Sequence, residues 1–194
     1  MNVRLKAGVF KVSLAVFPAC TKNTSSTTGP TPMQAMSFTS ETATPVARSF
    51  VPSNLIERRP GQISISIVAN NFPTTNRCGF VRGALLFNPS VLSYVNFSED
   101  DWMKQGGALT TFSVSSSNGA VDIAVDRPTS LPFATGSGSI LTIRFKPVSS
   151  TVQGSSALQW TLPHCWSTLT STINGPVLSN DNLVRAYNGT VTVQ

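Results

Sequence analysis

Residues 62–67 read Gln62-Ile63-Ser64-Ile65-Ser66-Ile67. Apolar and polar side chains alternate strictly in this stretch, and a period of two residues is that of a β-strand with one buried face. We therefore predict a strand whose three isoleucines point into a core. Asn70-Asn71 and Pro73 come next and predict the end of the strand, because these residue types favour turns.

The same alternation returns at short intervals towards the C-terminus. Asn88-Pro89 and the hairpin signal Asn118-Gly119 separate neighbouring segments. No segment has the clear 3.6-residue period of an amphipathic helix. The pattern therefore predicts an all-β fold, an antiparallel β-sandwich of about nine strands. The segments predicted as strands include residues 62–67, 81–87, 93–97, 110–115, 121–126, 139–146, 157–162 and 190–194.

The composition agrees with a domain built from strands. Charged residues make up only 11% of the 194 residues, whereas long surface helices usually carry many of them. The formal charge is +6, but three of the cations, Arg4, Lys6 and Lys11, lie close to the N-terminus. No basic stripe interleaved with aromatic residues is present, so we do not expect nucleic acid as a partner.

The N-terminus has the layout of an export signal. Residues 1–6 are basic, residues 7–19 are mostly apolar and Cys20 follows directly. We interpret residues 1–20 as a leader of the bacterial lipoprotein type, with Cys20 as the lipidation site and the lipid as the only membrane contact. Residues 21–45 are rich in Ser, Thr and Pro and predict a linker. Residues 46–194 are then the folded domain, exported to the cell surface or periplasm.

The cysteine count leaves one pair to explain. If Cys20 carries a lipid, Cys78 and Cys165 remain in an oxidising compartment, where a disulfide between them would close a long loop. Two buried free thiols are the alternative. A metal site is disfavoured, because His164 is the only histidine of the sequence. We expect neither a metal nor a cofactor.

Four motifs follow one another along the chain. They are Pro60-Gly61-Gln62 with the isoleucine strand, Gly83-Ala84-Leu85-Leu86-Phe87-Asn88-Pro89-Ser90-Val91-Leu92, Gly136-Ser137-Gly138-Ser139-Ile140-Leu141-Thr142-Ile143-Arg144-Phe145-Lys146 and Asn188-Gly189-Thr190-Val191-Thr192-Val193. In their order and spacing these motifs resemble the cohesin family of jelly-roll sandwiches that hold dockerin domains. Asn88 stands where the family has aspartate, and Gly83 replaces a large residue. In the cohesin arrangement the third and eighth strands are adjacent, which implies a Cys78–Cys165 disulfide.

The resemblance also implies where a partner binds. Cohesins meet the dockerin on the sheet made by their third, fifth, sixth and eighth strands. The expected function is therefore an exported, surface-tethered module that binds a dockerin-like protein, which brings its own calcium. Carried over by position, the outward residues of that sheet are Arg82, Ala84, Leu86, Ser113, Ser115, Asp122, Ala124, Gln159 and Thr161.

The sequence does not predict an enzyme. A catalytic triad needs a base beside a nucleophile, and His164 would have to serve alone. The acidic run Glu99-Asp100-Asp101 lacks the alternating ligand pattern of a calcium loop, so we interpret it as a solvated loop.

Two other kinds of binding stay open. A carbohydrate-binding module would present aromatic rings to a polysaccharide, and the candidate rings are those of Tyr94, Trp102, Trp166 and Tyr187. We expect Trp160 to belong to the core instead. A structural surface or pilus-like component would assemble by strand addition. The Ser/Thr-rich tail before Pro60 is the candidate donor strand.

Overall fold

The computed structural model describes residues 34–55, 61–74, 78–128, 132–166, 171–172, 175–176 and 184–194. Only the backbone is described at 54–55, 162–164, 166, 171–172 and 175–176. The predictions for the leader, for Cys20 and for most of the linker lie outside these residues. No helix within them is long and apolar enough to cross a membrane.

Nearly all of the described residues lie in strands or in the turns between them. One short 3₁₀ segment, η1 (Trp102–Gly107), separates the fifth and sixth strands. In chain order the strands are β1 (Met36–Ser40), β2 (Ser49–Leu55), β3 (Ile63–Phe72), β4 (Phe80–Leu86), β5 (Leu92–Glu99), β6 (Thr111–Ser117), β7 (Ala120–Asp126), β8 (Gly136–Pro147), β9 (Gly154–Trp166), β10 (Ser171–Thr172), β11 (Gly175–Pro176), β12 (Arg185–Ala186) and β13 (Gly189–Val193).

Two sheets form the sandwich. The first has the strand order β1-β13-β9-β4-β7-β6 and the second the order β12-β2-β3-β8-β5, while β10 and β11 form a separate pair. Neighbouring strands in both sheets are antiparallel, except for the short parallel pairing of β12 with β2. The prediction of an all-β antiparallel sandwich is confirmed.

The core lies between the two sheets. Ile63, Ile65 and Ile67 of β3 all point into it, as predicted, and they are at most 5% exposed. Val81 and Leu85 of β4 belong to the same cluster and come from the other sheet. Burying each such side chain stabilises the fold by about 1.5–3 kcal/mol relative to leaving it in water.

Strand β1 corrects the predicted domain boundary. It lies inside residues 21–45, which were assigned to a linker on the composition of the whole segment. Met36 and Phe38 nevertheless alternate with small polar residues, and both pack against the core while the strand pairs with β13. The folded domain therefore begins before residue 46. The tail before Pro60 is not a free donor strand, because β1 and β2 both pair inside the domain.

Asn118 and Gly119 form the predicted tight turn between β6 and β7. Their φ angles are 46° and 81°, in the left-handed region that two-residue hairpin turns require. A Cβ atom on Gly119 would lie 2.7 Å from the Phe87 carbonyl oxygen, so only glycine fits. The turn places Ser117 opposite Ala120 and thereby sets the register of the hairpin.

A disulfide joins Cys78 to Cys165, as the resemblance implied. The two Cα atoms are 5.4 Å apart, and both residues are buried. Cys78 precedes β4, and Cys165 lies within the last residues of β9, opposite Val81. The bond therefore ties together the ends of two neighbouring strands of the six-stranded sheet.

A buried arginine holds η1 in place. Arg127 follows β7 and is 3% exposed. Its guanidinium donates to the carbonyl oxygen of Pro132 at 2.8 Å and to those of Met103 and Gln105. Burial lowers the pKa of Arg127 from its ordinary value. The N–H groups of the guanidinium thus satisfy three carbonyl groups that the short 3₁₀ segment and the loop before β8 leave unpaired.

Candidate functional site

One broad surface, which we name the open face, is formed by the outer side of β6, β7, β4 and β9. In the cohesin numbering used in the sequence analysis, β4, β6, β7 and β9 correspond to the third, fifth, sixth and eighth strands. Their pairings bring all nine residues predicted for partner binding onto this one face. None of the nine is buried. They are Arg82, Ala84, Leu86, Ser113, Ser115, Asp122, Ala124, Gln159 and Thr161.

The open face is flat because its side chains are small. Ser, Thr and Ala predominate, and four strands spaced about 4.8 Å apart make it about 14 Å wide and about 20 Å long. Leu86 is 37% exposed. It is the largest apolar side chain that the described residues expose on this face. Its register partners on β7 and β9 are Ala120 and Gln159.

Charge is concentrated at one end and in the middle of the open face. Arg82 forms an ion pair with Asp126, and its Nη1 atom also donates to the carbonyl oxygen of Val81 at 3.1 Å. Asp122 is exposed and has no ion-pair partner within the described residues. One cation against two carboxylates leaves the described side chains of this face slightly acidic, on a chain of formal charge +6.

The open face also contains four residues that the prediction left out. Thr111 and Ser117 are exposed, while Ala120 and Asp126 are half-buried. The strand predicted at 110–115 ended before Ser117, and the strand predicted from residue 121 began after Ala120. Thr111 and Asp126 lay within the predicted strands, and the alternation that places Ser113 and Asp122 on the outer side places these two there as well.

The outer side of the other sheet is buried near its centre. Ser64, Ser66 and Thr142 lie on it, and each is only 1% exposed. The Ser66 hydroxyl bonds to that of Ser139, which donates to the carboxylate of Asp100, and Thr142 donates to the same carboxylate at 2.8 Å. These hydrogen bonds occupy the part of that surface around Ser66 and Thr142, whereas the nine residues of the open face are not buried.

Comparison with known proteins bears on the fold. No protein-family model and no curated protein matches the sequence. Solved structures do match. The sixth cohesin of scaffoldin B from Acetivibrio cellulolyticus, in complex with a mutant Cel5 dockerin, matches with a TM-score of 0.53 and 16% identity over 73% of this chain and 96% of its own. The domain has the cohesin fold.

Two more cohesins support this statement. The third ScaC cohesin from Acetivibrio cellulolyticus, in complex with the ScaB dockerin, matches with a TM-score of 0.52 and 15% identity over 66% of this chain and 86% of its own. The seventh ScaB type I cohesin from Pseudobacteroides cellulosolvens gives a TM-score of 0.50 and 18% identity over 68% and 82%. At these identities the likeness concerns the fold alone.

Two of the four candidate sugar-binding rings are inside this cohesin-like domain. Trp102 is 2% exposed, packs on the Phe72 ring at 5.1 Å between centroids, and donates from Nε1 to the Thr135 carbonyl oxygen at 3.0 Å. Tyr187 is 6% exposed, and its hydroxyl accepts from the backbone N–H of Val46 at 3.1 Å. The prediction that these two rings stack on sugars was wrong, because both are buried and too little of either ring is exposed to stack on a sugar.

The other two rings remain candidates. Tyr94 is half-buried and lines a cleft of about 440 Å³ together with Ser116 and Asn118. Burial raises the pKa of the Tyr94 phenol above its ordinary value. The side chain of Trp166 lies outside the described residues. Carbohydrate binding at the Tyr94 cleft stays a prediction.

The acidic run differs from the solvated loop that we expected. The Asp100 carboxylate is half-buried and serves as the acceptor for Ser139 and Thr142. Glu99 forms an ion pair with Lys104 at 3.0 Å. Among the described residues no group of three or more His, Cys, Asp or Glu side chains is arranged to hold a metal ion. Asp100 has a structural role in the domain.

Proposed function

We propose that the chain is an exported binding module whose open face holds a helical, dockerin-like protein. The observation that carries this proposal is the contrast between the two sheets. Internal hydrogen bonds occupy the centre of one outer surface around Ser66 and Thr142, whereas the other surface is flat, accessible and carries an exposed leucine. The two cohesins solved with dockerins share this fold and support the same kind of partner for this chain.

The dimensions of the open face suit a helix. An α-helix with its side chains is about 10–12 Å across, which is slightly less than the estimated width of the four strands. Small residues such as Ala84 and Ala124 let the backbone of a partner approach closely. Leu86 then supplies an apolar anchor of the kind that contributes most binding energy when it enters a pocket on the partner.

The charges narrow the choice of partner. Arg82 is already paired with Asp126, whereas Asp122 is free within the described residues to attract a cation. We therefore expect a lysine or arginine of the partner over the middle of the face, beside the apolar contact at Leu86. Such a charge mainly speeds association and loses its effect at high salt.

The test is a set of single variants on the open face. Leu86→Ala should weaken partner binding about 10-fold, because it removes the apolar anchor. Ala124→Arg should weaken binding about 100-fold by lifting the partner off the flat surface. Leu109→Ala is the matched control, because Leu109 is 87% exposed but lies outside the four strands of the open face. Its affinity should equal that of the unchanged protein.

The measurement begins with capture on the immobilised chain. Secreted proteins of the source organism are passed over it with calcium and with a chelator, and the captured protein is then titrated by calorimetry. Calcium-dependent capture that Ala124→Arg abolishes and Leu109→Ala preserves supports the proposal. A captured protein whose affinity is the same for all of the variants contradicts it.

Export and tethering form a second part of the proposal. The basic start, apolar stretch and cysteine of residues 1–20 support a lipid on Cys20, with the polar segment that follows as a short tether. We expect the mature protein to begin at Cys20 and to carry the added mass of a diacylglyceryl group. Intact-mass spectrometry of the membrane-associated protein is the measurement. A mature chain without that mass contradicts the lipid anchor but leaves the open face untouched.

A further inference from the structure

Strand β6 is an edge strand whose own residues carry none of the usual protection. It ends the six-stranded sheet and has no neighbour on its outer side within the described residues. Proteins normally guard such edges with charges, prolines, bulges or short length, because free backbone groups pair readily with another strand. Thr111–Ser117 contains neither a charge nor a proline, and its pairing with β7 has no register shift.

The other edges of the described sheets differ from this one. Strand β5 has a register shift between Tyr94 and Asn96, which interrupts its ladder. Strand β12 has two residues and β1 has five, against seven in β6. Strand β6 is therefore the longest regular edge in the described part of the chain.

The tight turn determines which backbone groups of β6 are free. Ser117 and Ala120 flank a two-residue turn and so form a hydrogen-bonded pair. Hydrogen-bonded and non-hydrogen-bonded pairs alternate along an antiparallel ladder from that point. The N–H and C=O groups of Phe112, Val114 and Ser116 therefore point away from β7, and they are available to a further strand.

The side chains define what kind of strand fits. Phe112 and Val114 are half-buried on the core side and pack against the core, while Thr111, Ser113 and Ser115 are exposed on the open face. An added strand must continue both surfaces, with apolar side chains on the core side and small polar ones outside. The sequence of β6 itself meets this description.

We propose that two copies of the chain pair through β6, antiparallel across a two-fold axis at Val114. Only residues with free backbone groups can be matched, and the register that uses all three of them places Val114 opposite Val114 of the second copy and Phe112 opposite Ser116. No like charges meet across the axis, because β6 carries none. The Phe112 ring, already stacked on Phe97 at 6.5 Å between centroids, gains further apolar cover.

This pairing goes beyond the binding of a partner at the open face and does not compete with it. Edge pairing takes place in the plane of the sheet, so the outward side chains of β6, β7, β4 and β9 stay uncovered. Two open faces then lie side by side on one continuous sheet, and each dimer offers two binding sites. The interface is small, and we therefore expect weak association with a Kd in the range of about 10–100 μM.

The experiment uses charge reversal at the two-fold axis. Sedimentation velocity of the purified protein between about 10 μM and 1 mM should show a concentration-dependent dimer. Val114→Lys alone and Val114→Glu alone should each stay monomeric, because like charges then face each other across the axis. An equimolar mixture of the two variants should recover the dimer. Leu109→Lys is the matched control, since Leu109 is 87% exposed and lies outside β6, and it should dimerise normally.

Urea denaturation of each variant checks that it remains folded, and Val114→Thr gives an uncharged variant at the same position that should still dimerise. A protein that stays monomeric up to about 1 mM overturns the proposal. So does a dimer that persists in Val114→Lys, because another surface then holds it together. Failure of the two folded charge variants to pair when mixed rejects the register at Val114, and with it the proposed interface.

Discussion

Replacing both Cys78 and Cys165 by alanine is expected to lower the free energy of unfolding by about 4 kcal/mol. The bond links residues 87 positions apart, so its loss frees a long loop and raises the entropy of the unfolded chain. Both residues are buried, and the missing sulfur atoms also leave unfilled space in the core. Because the bond ties β4 to β9, we expect the loss to weaken the sheet that carries the open face.

Urea denaturation with and without a reductant measures this effect. Reductant should destabilise the unchanged protein by a similar amount and should leave the double variant as it is. Lys146→Ala removes an exposed side chain of β8, and it should change the free energy of unfolding by less than about 0.5 kcal/mol. A double variant within about 1 kcal/mol of the unchanged protein would contradict the stabilising role of the bond.

Arg127→Met is expected to cost about 3 kcal/mol of stability, the second largest effect. Methionine keeps much of the side-chain volume but removes the donors to the carbonyl groups of Met103, Gln105 and Pro132. A buried acceptor left without a partner costs about 1–3 kcal/mol. The segment η1, whose Trp102 is buried beside Phe72, should loosen as a result.

One further variant separates the geometry of the hydrogen bonds from the charge at this site. Arg127→Lys keeps the positive charge, but one ammonium group cannot reach all three carbonyl groups that the planar guanidinium binds. Most of the stability that Arg127→Met loses should therefore also be lost in Arg127→Lys. Trp fluorescence should report a more exposed Trp102 in both variants of Arg127, alongside the urea curves. Full stability of Arg127→Lys would show that the charge matters and the three hydrogen bonds do not.

Much of the fold could be predicted because alternation is a local property of the chain. The isoleucines of residues 62–67 and the Asn118-Gly119 turn each specify a strand and its end without reference to the rest of the molecule. The open face was predicted from the strand arrangement that the resemblance to cohesins implied, and the alternation then indicated which side chains point outward. Leu86 lies on the exposed side of β4 because Val81 and Leu85 occupy the other side.

The features that were missed depend on distant parts of the chain. Trp102 and Tyr187 are buried by residues far from them in sequence, and no local pattern separates a buried ring from an exposed one. Strand β1 is only five residues long, too short to stand out from a segment rich in Ser and Thr. Arg127 appears as a surface cation by residue type, and only the tertiary structure supplies the three carbonyl groups around it.

The open face as a binding surface is tested most directly by methyl NMR of the complex with the captured partner. Ala84, Leu86, Ala120 and Ala124 carry methyl groups on that face, while Leu109 and Ala134 lie elsewhere. We expect the signals of the first four to shift or broaden on addition of the partner, and those of Leu109 and Ala134 to stay in place. Shifts at Leu109 with the four face methyl groups unchanged would contradict the account.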